Sequence, residues 1–217
     1  MPTHLEQDLQ AISAKIYQMA DLAIESIRDS VDSLKNQDAR LAENVIRRDS
    51  ELDKLEIIID EECIRLLVTR QPAAADLRLI LTITKTNTDL ERIGDLSTNI
   101  AKETLDSLGK PLLKPLVDIP RMGDLTITMI KMAFRAITEK NADLARECIA
   151  IDRQVDEINM QIYRELFSYM AENPATLSPS LGLIMVAKAL ERIGDHATNI
   201  AERAVYYIEG EDIRHQE

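Results

Sequence analysis

A thirteen-residue segment occurs twice in this chain, and this duplication constrains the fold more than any other feature of the sequence. The segment LERIGDLSTNIAK begins at Leu90 and LERIGDHATNIAE begins at Leu190, and ten of the thirteen positions are identical. The matches continue upstream at an offset of 103, where residues 46–53 and 149–156 both read I-x-x-D-x-x-x-D. The sequence therefore consists of two copies of a unit about one hundred residues long.

Apolar residues recur every three or four positions along six long segments, which is the spacing of one buried helix stripe. The first segment shows it at Leu9, Ile12, Ile16 and Met19. Seven prolines and six glycines are few for an all-β protein, and we predict an all-α fold. The helices are predicted to end near Asn36, before Pro72, and near Gly109, Lys140, Glu172 and Glu209.

Three prolines within residues 110–120 make a continuous helix implausible there, so this segment is the predicted domain boundary. The predicted fold is two tandem, internally duplicated three-helix bundles whose short connections force neighbouring helices to run antiparallel. The predicted divisions are residues 1–109 for the first bundle, 110–116 for a linker, 117–210 for the second bundle and 211–217 for a tail.

The net charge of −12 comes from 38 acidic and 26 basic residues. The lysines and arginines are scattered, so phosphate backbones would be repelled and nucleic-acid binding is not expected. The first ten residues lack the pattern of a signal peptide, and no apolar run is long enough to span a membrane. We expect a cytoplasmic protein without membrane insertion, in which Cys63 and Cys148 are buried thiols.

Paired acidic residues are the strongest candidates for a functional site. Within each LERIGD copy a glutamate and an aspartate lie one helical turn apart on one polar face. Two like charges at this spacing, and a glycine inside the helix, both destabilise it. The arrangement E-x-x-x-D is common by chance, so only acidic pairs that recur in both copies are candidates. Glu56 and Asp60 do not recur, because their counterparts in the second copy are Asn159 and Tyr163. The acidic residues that recur as pairs in both copies are Glu91, Asp95, Glu191, Asp195, Asp49, Asp53, Asp152 and Asp156.

Helical hairpins bring these pairs together. If the chain folds back around residue 73, Asp49 and Asp53 lie beside Glu91 and Asp95. Folding around residue 176 gives a looser agreement in the second copy, with Asp152 level with residue 200. Four converging carboxylates repel each other unless they share a positive charge, and all-oxygen ligation suits magnesium, manganese, calcium or ferric iron. Each hairpin is thus predicted to hold metal.

Nearby residues leave alternatives open. Arg92 and Arg192 are placed to neutralise the aspartates three residues on, which would give structural salt bridges instead of metal sites. Asn99 and Asn199 either add to the sites or make ordinary hydrogen bonds on the helix surface. His196 has a leucine as its counterpart, so we predict that it is an exposed bystander. No phosphate-binding loop and no nucleophile with a histidine partner is present, so an enzyme is not expected.

The doubled LERIGD motif, each followed by TNIA on the third helix of a repeat, resembles the PhoU family of phosphate-signalling regulators. The resemblance spans essentially the whole chain, including the proline-containing linker. It implies a cytoplasmic protein, often a homodimer, that links the ATPase of the phosphate-specific ABC transporter to the phosphate-sensing histidine kinase. The family role is negative regulation, in which phosphate-starvation genes stay repressed while phosphate is plentiful.

The resemblance also implies metal binding through motifs of the form E(D)-x-x-x-D. These map onto Glu91 with Asp95 and Glu191 with Asp195, and the aspartate pairs of the second and fifth helices share the form. The ions concerned are divalent or ferric, namely iron, manganese, magnesium or zinc. Two other functions stay open: a metal-dependent enzyme that uses the carboxylate clusters, and a metal-free helical scaffold.

Overall fold

The computed structural model describes residues 3–214, and every regular element in that range is helical. Six long helices account for most of the chain, as predicted. They are α1 (His4–Asn36), α2 (Ala39–Arg70), α3 (Ala74–Ser107), α4 (Asp118–Glu139), α5 (Ala142–Glu172) and α6 (Leu177–Glu209), with a short 3-10 turn at Pro174–Thr176. The helix ends agree with the sequence-based predictions to within two residues or so.

The turn between the first two helices of each repeat is built from equivalent residues. Asp38 caps α2 by accepting the Leu41 backbone N–H at 3.0 Å, and Asn141 caps α5 in the same way from Leu144 at 3.1 Å. A side-chain oxygen at this position satisfies a backbone donor that the first helical turn leaves free. The duplication has therefore preserved the local signals that begin these helices, as well as the apolar stripes.

The core is continuous across the two repeats. The helix α3 packs against α1 and α2, α6 packs against α4 and α5, and the contact between α3 and α6 is as extensive as those within a repeat. Leu90 and Leu190 are fully buried at equivalent positions in this core. The two predicted bundles are present, and they share a long seam.

The seam is antiparallel and nearly two-fold symmetric. The Thr82 hydroxyl donates to the Arg203 carbonyl at 3.5 Å, and Arg78 Nε donates to the Tyr207 carbonyl at 3.4 Å. This register sets the two LERIGD segments at the same height, on either side of a pseudo-two-fold axis. Because α1 and α4 touch each other and cover one side of the α3–α6 pair, the other side is lined by α2, α3, α6 and α5. We call it the open face.

Both thiols are buried, as predicted. The Cys148 Sγ lies 3.1 Å from the Met129 carbonyl, and burial raises the pKa of this thiol to about 12. The thiolate is the reactive form of cysteine, so Cys148 behaves as a small core residue. None of the helices within residues 3–214 is both long enough and apolar enough to cross a bilayer.

Candidate carboxylate sites

Gly94 allows α2 to approach α3 at the first carboxylate pair. A Cβ atom at this position would lie 2.5 Å from Leu52 Cδ1 and 3.3 Å from Asp49 Oδ1. The mid-helix glycine therefore has a packing reason, since any larger residue would push α2 away. Asp49 is consequently held against the same turn of α3 that carries Glu91 and Asp95, as the hairpin argument predicted.

The second repeat has the same register. A Cβ atom on Gly194 would lie 3.0 Å from Asp152 Oδ1 and 3.5 Å from Val155 Cγ1. The predicted alignment of Asp152 with residue 200 was wrong, because Asp152 faces Gly194, and these two residues are equidistant from Asn173, where the chain leaves α5. Both hairpins thus place the first aspartate of the second helix opposite the glycine of LERIGD.

Mutual repulsion is visible in the first cluster, which we define as Asp49, Asp53, Glu56, Glu91 and Asp95. Burial raises the pKa of Asp49, and the nearby charges of Asp53 and Asp95 raise it further. Burial likewise raises the pKa of Glu91, with Asp95 as the next cause. These shifts show that the predicted carboxylates of the first repeat lie near each other.

The second cluster comprises Asp152, Asp156, Glu191 and Asp195, and Asp152 has the largest pKa shift among the carboxyl groups of the two clusters. Burial raises the pKa of Asp152 to about 6, and Asp156, Asp195 and Glu191 add to the shift. Burial followed by Glu191 raises the pKa of Asp195. The structure therefore brings the four predicted carboxylates together in each repeat. An anionic site of this kind favours a bound cation.

The cations that balance the clusters differ between the repeats. Arg92 lies with Nε 3.3 Å from Glu91 and Nη1 3.3 Å from Asp95, so the proposed pairing with Asp95 exists. The equivalent pairing of Arg192 does not occur among the described residues. Lys188 replaces it, with Nζ 2.5 Å from Glu191 Oε2 and 2.6 Å from Oε1.

His196 does not behave as the exposed bystander that we predicted. It lies in the α3–α6 seam with Nδ1 2.9 Å from Asp89 Oδ1, and its side chain is mostly buried. Asn199 donates to the same oxygen at 3.5 Å, and Arg203 forms an ion pair with the other one. Asn199 therefore serves the seam instead of the carboxylate cluster. Asn99, its counterpart, is exposed on α3.

Glu56 is the site residue that sequence reasoning set aside. Burial raises its pKa, followed by the charges of Asp60, Asp53 and, more weakly, Asp95, so it belongs to the first cluster. Duplication had excluded it because its counterpart is Asn159. Its position one turn after Asp53 on the same face of α2 was the signal available in the sequence.

The donor set fits a hard cation in composition. The carboxylate oxygens supply negative charge, and the buried Asn159 Oδ1, the counterpart of the Glu56 carboxylate, has no hydrogen-bond partner among the described residues. Within residues 3–214, however, no three carboxylate, imidazole or thiolate groups already converge at coordinating distance. Binding an ion would therefore require the exposed carboxylates to rotate towards Asp49 or Asp152, which costs rotamer freedom but no change of fold.

Comparison with known proteins identifies one family over nearly the whole chain. The family model described as the PhoU domain matches twice, over residues 16–104 and 119–204. A phosphate-specific transport system accessory protein PhoU homolog from Pseudomonas putida is 38% identical over 209 residues, which cover 96% of this chain and 82% of that protein. The PhoU accessory protein of Escherichia coli K12 is 35% identical over 208 residues, which cover 96% of this chain and 86% of that protein. The crystal structure of PhoU from Pseudomonas aeruginosa superposes with a TM-score of 0.91 at 36% identity, covering 94% of this chain and 99% of that one.

Proposed function

We propose that this chain is a negative regulator of phosphate signalling and uptake, because it belongs to the PhoU family. Its relatives are named as accessory proteins of the phosphate-specific transport system. In this proposal the protein connects the ATPase of the phosphate-specific ABC transporter with the phosphate-sensing histidine kinase. It keeps phosphate-starvation genes repressed while phosphate is plentiful, and it works in the cytoplasm as a homodimer without chemical turnover.

Metal binding by the two carboxylate clusters is the second part of the proposal. The observation that carries it is the pair of glycine-gated hairpins, in which Gly94 and Gly194 let an aspartate pack against a helix turn that is already acidic. Repulsion of this kind is unfavourable in both repeats, yet it survived duplication in both. Iron, manganese, magnesium or zinc would relieve this repulsion. Glu91, Asp95, Asp49 and Asp53 would hold the ion in the first repeat, and their counterparts would hold the ion in the second.

The regulatory role is tested by deleting the gene and measuring phosphate-starvation gene expression in high phosphate. We expect derepression in the deletion strain and repression after complementation with the wild-type gene. Unchanged expression in the deletion strain would refute the regulatory role. A complementing allele with Glu91, Asp95, Glu191 and Asp195 replaced by alanine shows whether the clusters serve this role, since we expect that allele to leave expression high while the protein stays helical.

A metal-dependent enzyme and a metal-free scaffold remain the rival functions. Hydrolysis of phosphoesters or consumption of peroxide by the metal-loaded protein would favour the enzyme. The ion pairs of Arg92 with Glu91 and Asp95 are the observation that favours the scaffold. Failure of the wild-type protein to take up manganese or iron in a saturable manner would support the scaffold over the metal-binding regulator.

A further inference from the structure

Exposed apolar side chains recur at equivalent positions of the two repeats. On α2, Ile64 is 62% exposed, and its counterpart on α5, Phe167, is 61% exposed. The same correspondence holds at three further positions, all with exposed apolar side chains in both repeats. We define the first patch as Ile57, Ile64, Leu77 and Leu81, and the second patch as Met160, Phe167, Leu177 and Leu181.

The hairpin register gathers each patch on the open face. In the first repeat Leu52 packs against Gly94, and because the two helices run antiparallel, Ile64 lies level with Leu81 twelve or thirteen residues further along the hairpin. In the second repeat Val155 packs against Gly194, and twelve or thirteen residues further along the hairpin Phe167 lies level with Leu181. Each patch therefore combines side chains from two helices near a hairpin end.

Retention of these positions is selective. Neighbouring exposed positions on the same helices have changed between the repeats, even in the sign of their charge. Glu61 corresponds to Arg164, and Lys54 corresponds to Glu157. Core positions are kept by packing, but exposed apolar residues contribute little to the stability of the isolated chain and raise its risk of aggregation. All eight patch residues being apolar indicates a surface that is covered by something.

Charge identifies what covers it. Each patch adjoins its carboxylate cluster, since Asp53 lies one turn before Ile57, and Asp156 lies one turn before Met160. Asp60 and the exposed Glu61 extend the acidic border of the first patch. A second copy of this chain, which carries a net charge of −12, would set acidic surface against acidic surface. An anionic bilayer would be repelled for the same reason.

We propose that the open face is a docking surface with two equivalent sites, each of which receives an amphipathic helix of a partner protein. The docked helix has an apolar stripe that contacts the patch, and lysine or arginine residues along its edge that face the carboxylates. This inference rests on the adaptor role proposed above and assigns its surface. Because the pseudo-two-fold axis exchanges the patches, a partner that is itself a symmetric dimer fits both sites at once.

The test uses the purified full chain and a synthetic eighteen-residue peptide of leucine and lysine arranged as an amphipathic helix. We expect calorimetry to show two peptides per chain, and a scrambled peptide and a leucine–glutamate peptide to bind at least about tenfold more weakly. Ile64→Asn and Phe167→Asn should each remove one of the two sites, and together both. Leu81→Asn and Leu181→Asn form a second pair in case the first pair folds poorly.

Ile58→Asn is the matched control, because Ile58 is exposed on α2 but corresponds to the polar Gln161. It should leave both sites intact. Equal binding by wild type and the Ile64→Asn/Phe167→Asn variant would overturn the proposal, as would equal affinity for the scrambled peptide. A wild-type dimer that this variant dissociates would assign the face to self-association instead, and patch-dependent binding to phosphatidylglycerol vesicles would assign it to a membrane. Gene expression in high phosphate is measured separately, so its outcome distinguishes a wrong surface from a wrong function.

Discussion

The two carboxylate clusters have the same backbone framework but balance their charge differently. In the first, Arg92 bridges Glu91 and Asp95 at 3.3 Å each. In the second, Lys188 contacts Glu191, and burial with three neighbouring carboxylates raises the pKa of Asp152 to about 6. Duplication therefore preserved the positions of the acids, whereas each repeat acquired its own neutralising cation.

This difference separates what the fold requires from what is adjustable. The glycine is retained because the close approach of the helices depends on it, and in both repeats an aspartate of the neighbouring helix faces it. The neutralising cation differs between the repeats, and so does the fifth carboxylate, since Glu56 in one repeat is Asn159 in the other. The clusters should consequently respond differently to matched substitutions, with packing effects larger than charge effects.

Replacing each LERIGD glycine by alanine should give the largest difference in stability between the two repeats. The new Cβ in Gly94→Ala would lie 2.5 Å from Leu52 Cδ1, which is buried in the core. Overpacking should exceed the gain in helix propensity, so we expect a loss of about 2 kcal/mol in the free energy of unfolding. In Gly194→Ala the nearest atom is the end of the Asp152 side chain at 3.0 Å, so the loss should stay below about 1 kcal/mol. Urea unfolding measures both, and equal losses would contradict this account.

Replacing Asp152 or Asp49, the aspartates that face the two glycines, by asparagine should instead increase the free energy of unfolding. The folded-state pKa of Asp152 lies above its usual value, so the ionised form is destabilising, and the stability of the metal-free protein should rise as pH falls from 7.5 through about 6. Because solvent reaches part of this carboxyl, we expect Asp152→Asn to stabilise by only about 1 kcal/mol at pH 7.5. Asp49→Asn should stabilise less. Unfolding in EDTA at pH 5.5 and 7.5 tests this, and a loss of stability in Asp152→Asn at pH 7.5 would refute it.

Removing the neutralising cations should give the smallest effects. Arg92→Gln and Lys188→Gln break partly exposed ion pairs, so each should cost a few tenths of a kcal/mol in the metal-free protein. Since the side-chain cation competes with a bound ion, Arg92→Gln should strengthen manganese binding at the first cluster and leave the second unchanged, and Lys188→Gln should do the reverse. Titration of each variant with Mn²⁺ checks this, with Arg135→Gln as a control that breaks an ion pair on α4 away from both clusters. Weaker manganese binding in both cluster variants would show that the cations support the sites.

Much of the fold was accessible from the sequence because the repeat supplied an internal comparison. The apolar stripes and the prolines define the helices, and folding the first hairpin around residue 73 placed Asp49 beside Glu91 and Asp95. The second hairpin was misjudged by a few residues because the position of a proline does not reveal where the chain reverses. Here Asp152 lies opposite Gly194, so the reversal is centred on Asn173, directly after α5.

The seam between the repeats could not be predicted from the duplication. Asp89 corresponds to Ala189, so the buried ion pair of Asp89 with Arg203 has no counterpart in the other repeat. A comparison of the repeats excludes positions that differ between them, and Glu56 was excluded from the candidate site for the same reason. His196 was misassigned because its burial depends on a helix from the opposite repeat, which no local pattern in the sequence specifies.

Equilibrium binding of Mn²⁺ to the purified protein tests the central claim, that each repeat builds its own cation site. Wild type should show saturable uptake at both clusters. Alanine at Glu91 and Asp95 should abolish the uptake of the first cluster only, alanine at Glu191 and Asp195 that of the second only, and all four changes together should abolish both while circular dichroism stays helical. Equal manganese content in the quadruple variant and wild type would contradict the account.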